Sequence, residues 1–388
     1  MHLWIVSRVY RPEPGAAAVF LGAVADSTIE TGGQVTVIGA KPTPEVAQKY
    51  RKIPGEKLVL ASVLRNAQGY IRGYLQYLSF DLPLLWRLAV HPKPDIIFVE
   101  APPTTGAVVS IISKLRKIPY VYRAADVWSE AAKHATNSKI VLCLLKYVEK
   151  FALRNATELI AMYPSVAKQV RALGVKTKTT IAGVGAETNI FNYRSVPQRK
   201  EFIYPGSYTE LHGASVLIDA FKIFSDKNPG YKLRFIGTST PDVKAEMQHK
   251  VNQYGISSQI TFEPAVIPDQ LAGELNSAVA TLATLNPYGQ YSFAFATKIY
   301  SSLASGCPTL FAGPGPTAKF IANNPDSQSV VAQYDAQQIA AAMQKIARNP
   351  LTAAQRQELA EWTAQNYSLK SAADITVARL TAAAHNAR

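Results

Sequence analysis

Leu3–Gly39 reads LWIVSRVYRPEPGAAAVFLGAVADSTIETGGQVTVIG, and its punctuation decides the fold. Leu3–Val6 is a short apolar run. The polar loop Ser7–Ala16 feeds a helical stretch from Ala17 to Thr31, Gly32-Gly33 ends it, and Gln34–Gly39 is a second strand. Strand, loop, helix, turn and strand within about forty residues make a βαβ unit. Gly15 and Ala16, just before the helix, let a ligand approach the backbone closely. The glycine spacing does not match a dinucleotide fingerprint, so no nicotinamide cofactor follows from it.

The same grammar continues outward. Lys41–Leu60 is polar and reads as irregular. Strands at Asp95–Val99, Pro119–Tyr122, Glu158–Met162 and Thr179–Ala182 then alternate with helices at Thr104–Leu115, Lys139–Leu153 and Ser165–Leu173. Asn192–Lys200 (NYRSVPQRK) is charged and polar, and reads as a linker. Beyond it the alternation restarts. Phe202–Tyr204, Leu233–Ile236, Ile260–Phe262 and Val279–Leu285 read as strands, and Ala214–Lys227, Pro241–Tyr254 and Asp269–Asn276 as helices. Three helical stretches, Ala336–Arg348, Leu351–Gln365 and Ser371–His385, close the chain. Two such sets predict an α/β protein with two Rossmann-like doubly wound domains facing a cleft. The expected domains are 1–192 and 193–370, with a final helix in 371–388 packing back towards the first.

A chain of 388 residues with 48% hydrophobic content can bury two cores, and its composition excludes fibrous and low-complexity classes. The net charge of +14 is uneven. Residues 1–192 carry +11 and residues 193–388 only +3. A basic half suits an anionic partner: an acidic membrane surface or a phosphorylated substrate. Nucleic acid is disfavoured, because there is no basic tail, zinc finger or RNA-binding signature. Cys143 and Cys307 form no metal spacing and suit a reducing cytosol, each reading as a small buried apolar side chain. The start, MHLWIVSRVY, lacks a signal peptide's apolar core, and no apolar run is long enough for a membrane span.

Three groups of residues carry candidate chemistry. In Tyr291–Gly313 (YSFAFATKIYSSLASGCPTLFAG), Thr297 is placed to cap a short helix and Lys298 sits just inside its start. An ammonium beside free N–H groups makes an anion site, although a solvated lysine on an ordinary helix reads the same way locally. Arg123–Glu130 (RAADVWSE) follows a strand's carboxyl end, where ligands bind in open α/β sheets, so Asp126 and Glu130 are candidate acids. An N-cap and a solvated glutamate are their bland counterparts. In Leu64–Val90, Tyr70, Tyr74 and Tyr77 share a helix face, with Arg72 beside them. That face suits a membrane interface or a lipid-linked substrate, or else an ordinary core.

Taken together, RPEPGAAA, GGQVTVIGA, APPTTGAVV, ADVWSE, GVGAETNIF, YPGSYTELHG and FATKIYSSLASGCPTL resemble, in order and spacing, a GT-B glycosyltransferase of the retaining family four. The branch making bacterial exopolysaccharides and O-antigens is the nearest likeness. The resemblance implies a hexosyltransferase that takes a UDP- or GDP-linked sugar as co-substrate, with retention and with no metal or other cofactor. It also implies a lipid-linked or glycan acceptor, and a cytoplasmic location peripheral to the anionic inner face of the plasma membrane. By resemblance, Lys298 and Thr297 hold the donor diphosphate, with Gly206, Ser207 and His212 in the loop against it. Gly237, Thr238, Pro264, Ala265 and Val266 lie where the base rests, and Gly15 and Ala16 approach from the first domain. Asp126 matches the acidic position near the reacting sugar. Arg123, Trp128, Glu130 and the Tyr70–Tyr77 group fall on the acceptor and membrane side. The sequence departs from the family at Phe293 and Ser301, where relatives carry two glutamates, and at Ser207 and His212, where they carry Arg and Lys. Those departures leave Lys298 as the main donor-binding charge. They also fit a non-catalytic GT-B homologue acting as a scaffold in polysaccharide assembly.

Overall fold

The computed structural model describes every residue except 14, 49, 67, 68, 70, 72, 101, 133–135, 137, 289–294 and 388. Two compact units form: Met1–Val184 with Leu369–Arg388, and Gly185–Ser368. Residues 185–192 therefore go with the second unit.

Seven parallel strands make the first sheet: β1 (His2–Ser7), β2 (Gln34–Ala40), β3 (Glu56–Ala61), β4 (Ile96–Glu100), β5 (Tyr120–Ala124), β6 (Glu158–Ala161) and β7 (Thr179–Ile181). Their order is β3-β2-β1-β4-β5-β6-β7, so the winding reverses between β1 and β4. Such a switch point opens a crevice at the strands' carboxyl ends. β4 and β5 are buried along their whole length, as strands covered on both faces must be. Helices Ala16–Glu30 and Leu369–Asn386 cover one face, through Phe20, Val24, Val377 and Leu380. The other face lies under Tyr74–Val90, Pro103–Arg116, Lys139–Asn155 and Pro164–Ala172, which contribute Phe80, Val109, Leu153 and Val170.

β3 corrects the reading of 41–60 as irregular. It is an edge strand paired to β2, and the buried Glu56 disguises it. That carboxylate accepts hydrogen bonds from Tyr10, from Arg11 Nη2 at 2.7 Å and from Tyr50 at 2.8 Å. The last helix is tied to the first unit by polar contacts. Ser27 Oγ donates to Asp374 Oδ1 at 2.6 Å, and Arg379 Nε and Nη2 each donate to the Glu158 carboxylate at 2.8 Å.

The second sheet contains β8 (Glu201–Pro205), β9 (Lys232–Ile236), β10 (Ile260–Glu263), β11 (Ala280–Thr284), β12 (Thr309–Ala312) and β13 (Val330–Ala332), in the order β10-β9-β8-β11-β12-β13. All are parallel, and the winding reverses between β8 and β11. β13 and the helix Pro316–Asn323 before it escape a sequence reading. A three-residue strand is too short to show a period.

Candidate functional site

In the second unit, the turns after β8 and β9 press together. A Cβ on Gly237 would lie 2.0 Å from the Gly206 carbonyl oxygen, so this approach requires glycine. Gly206 N–H donates to Ile236 O at 2.8 Å, Tyr208 N–H donates to Thr238 O at 3.0 Å, and the exposed Ser207 and Thr238 hydroxyls share a bond of 3.2 Å.

Lys298 reaches this pair of turns from the start of the short helix Lys298–Ala304. Its Nζ donates to Ser207 O at 3.1 Å and stands 3.8 Å from the centroid of the Tyr204 ring. Among the described residues no carboxylate lies within ion-pair distance of it. Burial lowers its pKa to about 7. His212 sits in the same neighbourhood, and burial together with the Lys298 charge lowers its pKa to about 4. Its Nδ1 accepts the Thr209 N–H at 3.3 Å, so the neutral ring carries its proton on Nε2 as a hydrogen-bond donor. Tyr334 Oη closes the loop by donating to Gly213 O at 2.5 Å.

Several expected positions fall differently. Thr297 does not cap the helix: its backbone is itself helical (φ −58°, ψ −23°) and its side chain makes no capping bond. Instead the Ala296 N–H donates to Thr317 Oγ1, 21 residues from Ala296, at 2.8 Å. Ser301 lies on the first turn of that helix, half-buried. Pro264, Ala265 and Val266 follow the edge strand β10 and, among the described residues, no hydrogen bond joins them to the Lys298 group. Phe293 lies outside the described residues, as do Tyr70 and Arg72.

In the first unit a second polar group gathers at the carboxyl ends of β1, β4 and β5. Arg123, nearly fully buried, pairs with the buried Glu100 across the β4–β5 ladder, and its guanidinium stands 4.3 Å above the Phe20 ring. Burial raises the Glu100 carboxyl while Arg123 opposes the shift. Arg8, just past β1, stacks 3.7 Å over the Tyr77 ring and makes no hydrogen bond among the described residues; burial lowers its pKa to about 10. Asp126 is exposed, and the surrounding protein raises its carboxyl against the pull of Arg123. Trp128 meets Tyr77 edge-on at 6.2 Å, and the Glu149 carboxylate accepts the Trp128 and Ser129 N–H groups at 2.7 and 2.9 Å. Glu130 lies half-buried beside them. Gly15 (φ +136°) and Ala16 are exposed at the start of Ala16–Glu30.

Of the three tyrosines expected on one face, Tyr70 lies outside the described residues, and the other two differ in surroundings. Tyr77 turns inwards under Arg8, whereas Tyr74 is exposed. Cys143 is exposed rather than buried, while Cys307 is buried as expected. Arg8, Glu100, Tyr204 and Tyr334 went unnoticed in the sequence. An arginine directly after the apolar strand β1 was the one signal that could have marked Arg8.

Residues 15–185 match the model described as glycosyl transferase 4-like domain, and residues 185–365 the model for glycosyl transferases group 1. The chain carries both domains of a family 4-like GT-B glycosyltransferase. Its fold is similar to that of sucrose-phosphate synthase from Thermosynechococcus elongatus, with TM-score 0.75, 17% identity and 100% of each chain covered. Anabaena HepE in complex with UDP aligns at TM-score 0.73 and 13% identity over 98% of this chain and 99% of its own. WaaG, a glycosyltransferase of lipopolysaccharide biosynthesis, aligns at 0.69 and 15% over 98% and 99%. At such identities these likenesses speak to the fold. No curated protein matches the chain.

The second unit brings together an ammonium that, among the described residues, has no carboxylate partner, with glycine turns and exposed hydroxyls, a set whose chemistry suits an anion. Among the described residues no group of three or more His, Cys, Asp or Glu could hold a metal ion.

Proposed function

We propose that the chain transfers a hexosyl group from a UDP- or GDP-linked sugar to a lipid-linked or glycan acceptor in cell-surface polysaccharide synthesis. Transfer proceeds with retention, needs no metal or other cofactor, and takes place at the cytoplasmic face of the plasma membrane. The observation that carries the reading is Lys298, whose Nζ is bound to the Ser207 carbonyl at the meeting of the two glycine turns and, among the described residues, has no carboxylate to neutralise it. Departure of the nucleoside diphosphate leaves negative charge on its phosphate oxygens. A fixed ammonium and the amides of the Gly206–Gly213 loop stabilise that charge as it develops. His212, neutral at pH 7, adds an N–H donor rather than a charge. We assign Asp126 to the positive character that grows on the sugar on the resemblance of ADVWSE alone. Structures of a relative with UDP and with UDP-glucose support UDP as the first nucleotide to try.

Thermal unfolding across a panel of nucleoside diphosphates tests the reading. A native-state ligand raises the midpoint by mass action. UDP or GDP should do so without added metal, and the unsubstituted chain should then release the same nucleotide from its sugar when acceptor is present. No shift with any nucleotide would remove the enzyme reading.

A further inference from the structure

We infer that the first unit docks on an anionic lipid bilayer through the outer face formed by the helices Tyr74–Val90, Pro103–Arg116 and Lys139–Asn155. The inference deepens the membrane location proposed above and rests on that reading for its occupant, but it does not use the donor site.

The three helices pack side by side over one face of the first sheet, with Pro103–Arg116 between the other two. Each sends its inward residues to the core and keeps a second apolar stripe in solvent. On Tyr74–Val90 the core takes Phe80, Leu84 and Leu88, while Leu75, Leu78, Leu82 and Trp86 point outwards at offsets of three, seven and eleven. Ile140, Leu144 and Tyr147 make the matching stripe on Lys139–Asn155, and Ile111 and Leu115 lie on the helix between. All nine are between 45% and 82% exposed. Single exposed leucines are ordinary, but aligned stripes on three neighbouring helices form the contiguous patch that marks an interaction surface.

Charge selects the occupant. The three helices carry two carboxylates between them, Asp81 and Glu149, and both are buried. Their outward charges are all positive: Lys114, Lys139, Lys146 and Arg154 are exposed, and Arg116 and Lys150 half-buried. An apolar stripe of Leu, Trp and Tyr rimmed by Lys and Arg, with no exposed acid, complements a surface that is both apolar and negative. A protein partner would need a large, acidic and apolar counterface, whereas an anionic bilayer presents that chemistry everywhere.

Flotation with vesicles at low salt tests this on the whole chain. The protein should float with phosphatidylglycerol-containing vesicles and much less with pure phosphatidylcholine. Leu82→Glu with Trp86→Glu, and separately Leu144→Glu with Tyr147→Glu, should each lower the partition by about tenfold or more, the equivalent of losing burial of one large apolar side chain. Lys146→Glu with Arg154→Glu should remove the preference for anionic lipid. An environment-sensitive dye on the exposed Cys143, in the unsubstituted protein, should shift to the blue with anionic vesicles. Absence of flotation, or variants that float like the wild type, overturns the proposal. Variants that instead break up a sedimenting dimer without changing flotation assign the face to a second copy, and overturn it too. The UDP-induced thermal shift is read on the same samples. Lost flotation with that shift intact removes the membrane face alone; flotation without any nucleotide response removes the enzyme reading alone.

Discussion

Raising the pH from 7 to 9 should weaken nucleoside-diphosphate binding through Lys298. In the free protein its ammonium titrates at about 7, because burial disfavours the charged form and, among the described residues, no carboxylate restores it. A bound diphosphate supplies the missing negative charge and raises that pKa, so binding takes up a proton above neutrality. The sign follows: the fraction of protein already protonated falls about tenfold for each pH unit above 7, and apparent affinity falls with it, by about 1.4 kcal/mol per unit. The diphosphate does not confound the window, since a terminal phosphate loses its last proton near pH 6. His212, at about 4, is neutral throughout. Calorimetric titration of UDP at pH 6.5, 7.5 and 8.5, in buffers of different ionisation enthalpy, measures both the affinity and the proton taken up. Lys298→Met should bind about 10- to 100-fold more weakly at pH 6.5, the worth of a charge-assisted hydrogen bond, and should show no pH dependence over the range. A wild-type affinity that stays flat from pH 6.5 to 8.5, or a Lys298→Met protein that keeps the same slope, refutes the reasoning.

Three further outcomes follow from the geometry. Gly237→Ala drives a methyl into the Gly206 carbonyl, so it should destabilise the second unit by about 2–3 kcal/mol and weaken UDP binding, whereas Gly273→Ala, with open space inside a helix, should stabilise by up to about 1 kcal/mol; denaturant midpoints decide both. Burial alone would raise the Glu158 carboxyl, but hydrogen bonds from Arg379 and Thr180 hold it below its ordinary value. Its contribution is therefore present above the unfolded-state pKa of 4.5 and is lost as pH falls below it. Arg379→Met should cost about 3 kcal/mol at pH 7 and flatten the acid limb of the stability curve, read by chemical denaturation at pH 3.5 to 7. Asp126→Asn should lower kcat by about 100-fold or more while leaving UDP affinity and thermal stability unchanged, as steady-state kinetics and calorimetry would register.

Local pattern determined the architecture of this chain and part of its candidate site. Apolar strand runs separated by helices, most of them restarted after a glycine or proline, can bury their surfaces only as parallel sheets covered on both faces. Hence the two Rossmann-like units were legible from residue order, as was Lys298 ahead of a short helix. Tertiary structure decided what those residues face. Ser207 and Lys298 are 91 positions apart, and only the β8–β11 reversal brings the ammonium onto the Ser207 carbonyl. Arg8, Glu100 and Arg123 each end a different strand, so their grouping exists only across the sheet. The helix Tyr74–Val90 is apolar on nearly every side, and periodicity within it cannot say which side is buried. Packing against Pro103–Arg116, with Asp81 Oδ1 accepting the Thr105 hydroxyl at 2.6 Å, chose the inward face. That choice turned Tyr77 under Arg8 and left Leu75, Leu78, Leu82 and Trp86 in solvent. A side chain's type is local, but its partners are set by elements far away in the chain, and charge, burial and exposure belong to those partners.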